Sequence, residues 1–280
     1  MRWLHFILSH SVFIALCALA LSYQTYALLH LNSNNFVYCF IFFATLCSYN
    51  FYWIISKYSF TKRTSLSLFI KNNLSYIFLF FVAAVGMMWS VFYIRQAWLW
   101  IIIAILLTLL YSLPLWPIAI AKKLRKLGFL KTTLLAFTWA YVTVVIPALI
   151  DGSQNLLPIC ILFTARFFFM LMLCAIFDMR DVQMDKIHSL SSLATDVSTK
   201  TLHTFMLISF ILYMAAGVLV RYHFGDNLQL AAFAVTGLVV WYVYRLSRQK
   251  QGYIFYYFIV DGLMLFSAAA SFIAQMFKNW

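Results

Sequence analysis

The sequence predicts an all-α polytopic membrane protein, and three observations support this fold class. The chain of 280 residues is 65 % hydrophobic and only 10 % charged, and its mean hydropathy is +0.91. Its apolar runs are continuous over about 20 residues, which is the length that a helix needs to cross a bilayer. The runs do not alternate between apolar and polar positions, as the strands of a membrane barrel do. Since a helix satisfies its own backbone in lipid, we expect a bundle of membrane-spanning helices.

Hydropathy and helix breakers divide the chain into about nine predicted spans within a single domain, residues 1–280. The third and fourth spans are joined by a very short turn around Arg95. No linker rich in Gly, Ser or Pro and no low-complexity tract marks a second domain. In chain order the predicted spans are residues 3–23, 35–56, 73–93, 97–113, 132–150, 156–177, 201–220, 228–245 and 253–276.

The positions of the basic residues explain the formal charge of +13 without a nucleic-acid partner. With the N-terminus in the cytoplasm, 16 of the 20 Lys and Arg residues lie on the cytoplasmic side. They stand either next to the N-terminus or after spans two, four, six and eight. Only Arg95, Arg221 and Lys278 fall on the opposite side, and Arg166 lies within a span. Basic residues concentrate on the cytoplasmic side of membrane proteins. This bias predicts a cytoplasmic N-terminus and a C-terminus outside.

The short loops favour an integral protein of a bacterial inner (plasma) membrane. The first apolar segment is long enough to span and lacks a small-residue cleavage site, so we expect no cleavable signal peptide. The lipid bilayer is therefore one expected partner.

Three of the seven acidic residues, Asp178, Asp181 and Asp185, follow the sixth predicted span within an eight-residue window. On a helix, offsets of 0, 3 and 7 place them on one face. Carboxylates at that spacing repel one another unless a cation is present, and a hard divalent cation such as Mg²⁺ selects such oxygen ligands. The spacing therefore predicts a Mg²⁺ site. The alternative is that these residues cap helices or balance Arg180 and Lys186 in a solvated loop.

The same window resembles a motif of a known family. Asp178-Met-Arg-Asp181-Val-Gln-Met-Asp185, followed by Ser189 and Ser192-Leu193, is similar to the second aspartate-rich motif of the UbiA superfamily of intramembrane prenyltransferases. Tyr111-Ser112-Leu113-Pro114 ahead of the basic loop 122–131 is similar to a further family element. The resemblance implies a UbiA-like helical bundle with a central cavity open to the cytoplasmic side. It also implies Mg²⁺-dependent transfer of a prenyl group from a prenyl diphosphate to a lipophilic or aromatic acceptor.

The resemblance also implies roles for individual residues. Asp178, Asp181 and Asp185 would hold the metal, and Asp181 and Asp185 would act as catalytic residues. Lys123 is the preferred contact for the diphosphate and Lys126 the alternative, although the basic loop also serves topology. The complete set of expected substrate-binding residues is Asn50, Lys57, Tyr111, Lys123, Lys126, Arg180 and Lys186.

The chain departs from the family at its first motif. Asn50 fits the motif's Asn, but Ile54 and Tyr58 stand where the family has Asp, and no acidic residue occurs before Asp151. At least one of the family's Mg²⁺ ions therefore loses its protein ligands. Lys57 lies near the missing carboxylates, and a Lys can balance phosphate oxygens in place of a metal. The alternative is a catalytically degenerate protein of this fold that binds an isoprenoid or a membrane partner without turnover.

Two other features of the apolar segments lead to structural expectations. Arg166 within the sixth span needs a partner, and we expect Asp261 or Asp151.

Some aromatic side chains should line a cavity and stabilise an allylic cation. The likeliest are Tyr49, Tyr52, Trp53 and Tyr111.

Two other protein classes receive little support from the sequence. A CDP-alcohol phosphotransferase needs Ala-Arg after an Asp-Gly pair, and Asp151-Gly152 lacks it. A transporter would show broken helices at matching midplane positions, and no such pattern is evident in the sequence.

Overall fold

The computed structural model describes residues 2–60, 66–112, 128–153, 155–187, 192–224 and 227–278. Within these ranges every regular element is a helix, which confirms the all-α prediction. A 3-10 turn, Arg95–Ala97, joins the fifth and sixth helices, and the short turn expected around Arg95 is thereby confirmed. The α-helices are α1 Arg2–Ser9, α2 Val12–Leu28, α3 Asn35–Phe60, α4 Leu66–Asn72, α5 Leu74–Tyr93, α6 Trp98–Ser112, α7 Gly128–Ala140, α8 Ile146–Ile150, α9 Leu156–Ile187, α10 Leu193–Asp196, α11 Thr199–Phe224, α12 Asn227–Ser247 and α13 Asp261–Lys278.

The helices are long and apolar enough for a polytopic membrane protein. In the described part of the chain, eight of them can cross a membrane, or nine if α1 and α2 count as one bent span. Many large apolar side chains point outward, such as Phe78, Phe81 and Phe92 on α5. An apolar exterior is what lipid contact allows, and it agrees with the expected bilayer.

The first predicted span, residues 3–23, is not one continuous helix. The axes of α1 and α2 differ in direction by 68°. Ser11 between them has a φ of 64°, in the left-handed region that interrupts a right-handed helix. His10 fastens this bend to α5, because its Nε2 lies 3.0 Å from the Ser75 Oγ and its ring stacks on Tyr76. Hydropathy alone missed the bend because the apolar run continues across it.

The spanning helices form a ring in chain order. Helices α2, α3 and α5 pack in series, as do α6, α7, α9, α11, α12 and α13, and the 3-10 turn joins α5 to α6. Helix α13 packs on α2 to close the ring. The long helix α9 also contacts α12 and the π-helical turn Tyr141–Val145. It is the most buried span, with 67 % of its apolar window inside the bundle, against 11 % for α5. Side chains on α9 can therefore meet several other helices at once.

Helix α9 continues through the aspartate window. The sixth span is expected to end at residue 177, but the helix extends to Ile187. Asp178 and Asp181 therefore stand one turn apart near its end, and the backbone of Asp185 lies one turn further. The offsets of 0, 3 and 7 consequently apply to a helical backbone.

Candidate functional site

Asp178 joins three chain segments at the end of α9. Its Oδ2 accepts a hydrogen bond from the Thr132 hydroxyl of α7 at 2.5 Å. The same oxygen accepts the backbone N–H of Leu193, the first residue of α10, at 3.1 Å. A carboxylate that accepts a helix's first N–H satisfies a donor that the helix itself cannot use. Asp178 therefore has a structural role at this position.

The short helix α10 is seated against the start of α7. The backbone N–H of Gly128 donates to the Asp196 Oδ2 at 3.1 Å. A Cβ on residue 128 would lie 2.5 Å from backbone atoms of Ser192, which is too close for any side chain to occupy. Glycine is therefore required at this contact. It lets residues 192–196 approach the Asp178 carboxylate.

Arg180 and Asp181 form an ion pair between neighbouring residues. The Nε and Nη2 of Arg180 donate to the two carboxylate oxygens of Asp181 at 2.7 and 2.8 Å. The guanidinium also lies over the rings of Phe177, Tyr256 and Tyr257, at 4.9, 5.5 and 4.9 Å from their centroids. These ring contacts direct the pair towards the start of the last helix, whereas Asp178 is directed towards α7 and α10.

Aromatic side chains surround the inner part of this region. The Trp139 indole donates to the Tyr49 hydroxyl at 3.3 Å. The rings of Tyr52 and Tyr111 stack at 5.2 Å, and the Lys131 ammonium lies 5.8 Å from the centroid of Tyr111. Of the four aromatic residues expected to line a cavity, Tyr49, Tyr52 and Tyr111 lie in one region of the bundle, whereas Trp53 stacks on Tyr76 of α5. The three tyrosines are joined there by Trp139 and by a cation from α7. Their contact with a substrate stays a prediction.

Two expected substrate-binding residues of α3 are engaged in helix packing. Asn50 is fully buried, and its Nδ2 donates to the carbonyl oxygens of His10 and Leu46 at 3.2 and 2.8 Å. The ammonium of Lys57 donates to the Asn73 Oδ1 at 3.0 Å and lies 4.4 Å from the Trp53 ring centroid. Trp53 in turn stacks on Tyr76 of α5. Both residues thus connect α3 to neighbouring helices.

Some expected site residues fall outside the described part of the chain. Lys123 and Lys126 lie between α6 and α7, outside the described residues. Asp185 and Lys186 have a described helical backbone, but their side chains are outside the description. Their roles stay predictions. The cavity open to the cytoplasmic side also stays a prediction, because residues 113–127 and 188–191 lie outside the described part of the chain.

The described side chains supply two of the three carboxylates expected to bind Mg²⁺. Among them there is no group of three His, Cys, Asp or Glu that could hold a metal ion, and Asp185 is not among those side chains. Asp178 and Asp181 supply hard oxygen ligands one turn apart, which suits an ion that takes one or two carboxylates and completes its shell with water and phosphate oxygens. The donor set fits one ion of this kind, provided that it shares Asp181 with the Arg180 guanidinium.

Arg166 does not pair with either carboxylate that the sequence suggested. Its Nη2 donates to the Gln24 Oε1 at 2.7 Å. Asp151 instead accepts the backbone N–H of Asn32 at 3.0 Å, and Asp261 lies in the electrostatic range of Arg180. The expected ion pair is therefore wrong. Sequence position gives the depth of a residue in a helix but not which neighbouring helix it faces.

Four residues of the site were missed in the sequence: Gly128, Lys131, Thr132 and Asp196. Lys131 was counted as a topology signal, because it ends a basic loop. The available signal was the i, i+4 spacing of Gly128 and Thr132, which places both on one face of α7. Nothing in the sequence indicated that residues 192–196 would fold back onto that face.

Comparisons with known proteins support the fold. A UbiA homolog from Aeropyrum pernix K1, solved in its apo form, superposes with a TM-score of 0.67 over 96 % of this chain and 99 % of that chain, at 13 % sequence identity. No protein-family model matches the chain, and no curated protein matches it either. At this identity the likeness concerns the fold, and the predicted UbiA-like helical bundle is confirmed at that level.

Proposed function

Because the chain has the fold of a UbiA homolog, we propose that it is an intramembrane prenyltransferase-like protein. It transfers a prenyl group from a prenyl diphosphate to a lipophilic or aromatic acceptor. One observation carries the proposal: Asp178 and Asp181 stand one turn apart at the end of α9, beside the cations Lys131 and Arg180 and the aromatic group of Tyr49, Tyr52 and Tyr111. Charged groups next to an aromatic lining are what a substrate with a diphosphate head and an isoprenoid tail requires.

The proposed reaction separates charge in the substrate. The bond between the allylic carbon and the diphosphate oxygen breaks, and diphosphate leaves with the electron pair. The allylic carbon then bonds to the acceptor, which releases a proton. Arg180 and Lys131 bind oxygens of the leaving group, and positioned cations of this kind stabilise the developing charge. The rings of Tyr52 and Tyr111 stabilise the allylic cation through their π faces and exclude water.

Mg²⁺ belongs to the proposal as the expected cofactor. Asp178, Asp181 and Asp185 would hold it, and it would neutralise charge on the diphosphate. The hydrogen bonds from Thr132 and from the Leu193 N–H orient the Asp178 carboxylate. The Arg180 guanidinium is bidentate on Asp181, and it would be free to bind substrate phosphate if Asp181 held the metal instead.

The proposal is tested by binding, which avoids the unknown acceptor. The purified protein is unfolded thermally in detergent with a non-hydrolysable prenyl diphosphate analogue, with and without Mg²⁺. A ligand that binds the native state raises the melting temperature by mass action. We expect a Mg²⁺-dependent rise in the wild type that is lost in Asp181→Asn.

A matched control separates the site from general charge effects. Asp151→Asn makes the same chemical change at the opposite end of the bundle, where Asp151 accepts the Asn32 N–H. This variant should keep the full rise. Absence of any rise at saturating analogue in the wild type overturns the prenyltransferase proposal.

A second candidate is favoured by the first motif of the chain. Ile54 and Tyr58 lie on α3 where the family carries Asp, so one of the two metal positions has no carboxylate there. The protein would then bind an isoprenoid or a membrane partner without turnover. Release of inorganic diphosphate from a labelled prenyl diphosphate distinguishes the two: the enzyme releases it in the presence of acceptor lipids, and the binding protein releases none although the melting temperature rises.

A further inference from the structure

A carboxylate of the last helix, Asp261, lies inside the bundle close to the proposed diphosphate region. Asp261 is the first residue of α13, and it belongs to the stretch Phe255–Phe277, which is long and apolar enough to cross a membrane. It is only 5 % exposed. An ionisable residue inside a membrane span carries a large free-energy cost, and such residues mark substrate pathways and proton relays.

The neighbours of Asp261 come from three other helices. It lies in the electrostatic range of Cys17 on α2, Tyr49 on α3 and Cys174 on α9, and of Arg180 on α9. The Cys17 thiol donates to its backbone carbonyl oxygen at 3.4 Å, which fixes the start of α13 against α2. The side chain of Asp261 therefore faces the space that α2, α3 and α9 enclose.

Asp261 lies at the depth where the isoprenoid chain would begin. Cys174 stands four residues before Asp178 on α9, which is about 6 Å further into the bundle. A diphosphate bound at Asp178 and Arg180 would place its allylic carbon at the level of Cys174 and Tyr49. Because Asp261 is close to both Arg180 and Cys174, it is near the atom at which the new bond forms.

The Asp261 carboxylate is available to a ligand. Asp178 accepts protein donors and Asp181 forms the ion pair with Arg180, whereas no described residue donates a hydrogen bond to the Asp261 side chain. Sealed side-chain atoms without a partner occur in the described part of the chain, such as the Oδ1 of Asn50, but the Asp261 oxygens are not sealed. A buried carboxylate with unused lone pairs can accept a hydrogen bond or a proton from a bound molecule.

The backbone before Asp261 also points to a function at this residue. A π-helical turn, Phe255–Val260, immediately precedes it. Turns of this kind are rare and are frequent at functional sites. The extra residue of a π-helical turn rotates the following helix about its axis, so this turn determines which helices Asp261 faces.

We propose that Asp261 is the catalytic residue that takes the proton released by the acceptor in the transfer reaction. The acceptor's hydroxyl group donates to a carboxylate oxygen of Asp261. As the allylic carbon leaves the diphosphate, the O–H bond breaks, its proton goes to Asp261 and its electron pair stays on the acceptor. That pair forms the bond to the allylic carbon from the oxygen or from a conjugated ring carbon, and in the second case the ring carbon's proton moves to the oxygen. This inference rests on the proposed function and supplies its missing proton acceptor.

A pair of probe acceptors tests the contact without turnover. The purified protein is saturated with the non-hydrolysable prenyl diphosphate analogue and Mg²⁺, and thermal unfolding is followed with β-naphthol or with its methyl ether, which lacks the donor. A hydrogen bond to a charged group should make β-naphthol bind about tenfold more tightly than the ether. Asp261→Leu, which has a similar shape and no acceptor, should remove this difference and keep the melting temperature of the unliganded protein, because no described donor loses its partner.

Transfer from a labelled prenyl diphosphate to β-naphthol provides the second test. A general base contributes about 10²–10⁴-fold, so Asp261→Asn should slow the transfer by that factor. Its Mg²⁺-dependent binding of the analogue should equal that of the wild type, because Asp261 holds neither the metal nor the diphosphate. Asp151→Asn, the same change beside the Asn32 N–H, is the matched control and should transfer at the wild-type rate.

The outcomes distinguish this inference from the proposed function. If the wild type does not bind the analogue, the proposed function fails and this inference fails with it. If the wild type binds the analogue but not β-naphthol in preference to the ether, or if Asp261→Asn transfers as fast as the wild type, Asp261 is not the proton acceptor although the diphosphate site remains. Loss of analogue binding or a marked fall in melting temperature in Asp261→Asn also overturns the inference, because Asp261 would then bind the diphosphate or support the fold.

Discussion

Near Asp178, the carboxylates of α9 contact donors from α7 and α10 and the cation Arg180 of α9 itself. Twelve residues earlier, Arg166 donates, among the described residues, to the neutral amide of Gln24. At the first place the ion pair of Arg180 and Asp181 is partly exposed, with 25 and 41 % of the side chains accessible, so water and ligands can replace protein contacts. At the second place the contacts are enclosed. The same helix thus carries an exchangeable charged region, defined by Asp178, Arg180 and Asp181, and a fixed one, defined by Arg166 and Gln24.

The comparison predicts that the largest loss of stability comes from the fixed region. Gln24→Leu removes the acceptor of Arg166 and the donor to Ser267 and Ser271. Breaking one partner of a buried charged contact costs about 3–5 kcal/mol, so the free energy of unfolding should fall by that order. Denaturant titration in detergent measures it. Gln96→Leu, at an exposed position of the 3-10 turn, is the control, and an equal loss there would contradict the assignment.

A smaller loss is expected where α10 approaches α7. Gly128→Ala puts a Cβ 2.5 Å from the backbone of Ser192, so residues 192–196 must shift and the Leu193 N–H leaves Asp178. Overpacking of this kind costs about 1–3 kcal/mol. Gly252→Ala is the matched control, because its Cβ meets nothing within 4 Å. Equal melting temperatures for the two variants would show that α10 is not held as described.

The two carboxylates of the exchangeable region should differ from each other. Asp178→Ala leaves the Leu193 N–H without its acceptor, at a cost of about 1–3 kcal/mol, whereas the Thr132 hydroxyl can still donate to the Gly128 carbonyl oxygen. Asp181→Ala breaks a partly exposed ion pair, which contributes about 0–1 kcal/mol. Under the proposed function both variants lose Mg²⁺-dependent binding of the diphosphate analogue. If Asp181→Ala keeps that binding, Asp181 is not a ligand.

The smallest effect is expected at Lys57 of α3. Lys57→Gln removes the cation over Trp53 and the charged donor to the Asn73 Oδ1, and together these contacts contribute about 1 kcal/mol. Stability should fall by no more than that, as seen by denaturant titration beside Lys71→Gln, a change at another exposed lysine. A marked loss of analogue affinity in Lys57→Gln alone would support the idea that this lysine replaces the carboxylates missing at Ile54 and Tyr58.

Much of the fold could be predicted from the sequence, because a helix that crosses lipid needs a continuous apolar run. Continuous apolar runs predicted spans such as 35–56, which the structure shows within Asn35–Phe60. The bend at Ser11 was not accessible, since a left-handed residue leaves no hydropathy signal. The aspartate window was found because charge is rare in this chain, and its helical spacing holds in α9.

The partners of the charged residues were less accessible. Arg166 was expected to meet a carboxylate, because opposite charge is the obvious complement, yet it meets an amide from α2. That contact depends on the packing of α9, α13 and α2 around the ring, which local patterns do not encode. Lys131 and Asp196 were missed for a related reason: their roles depend on how α10 folds onto α7.

The contact of α13 with α2 has a consequence for biosynthesis. The Nε2 of Gln24 reaches its acceptor on Ser267 across 243 residues of chain, and a ribosome adds about 5–20 residues per second. For about 12–50 seconds the first span to leave the translation machinery therefore carries an amide whose acceptors do not yet exist. During that interval α2 must stay with the insertion apparatus, a chaperone or water at the membrane surface, and assembly is completed only when the last helix arrives.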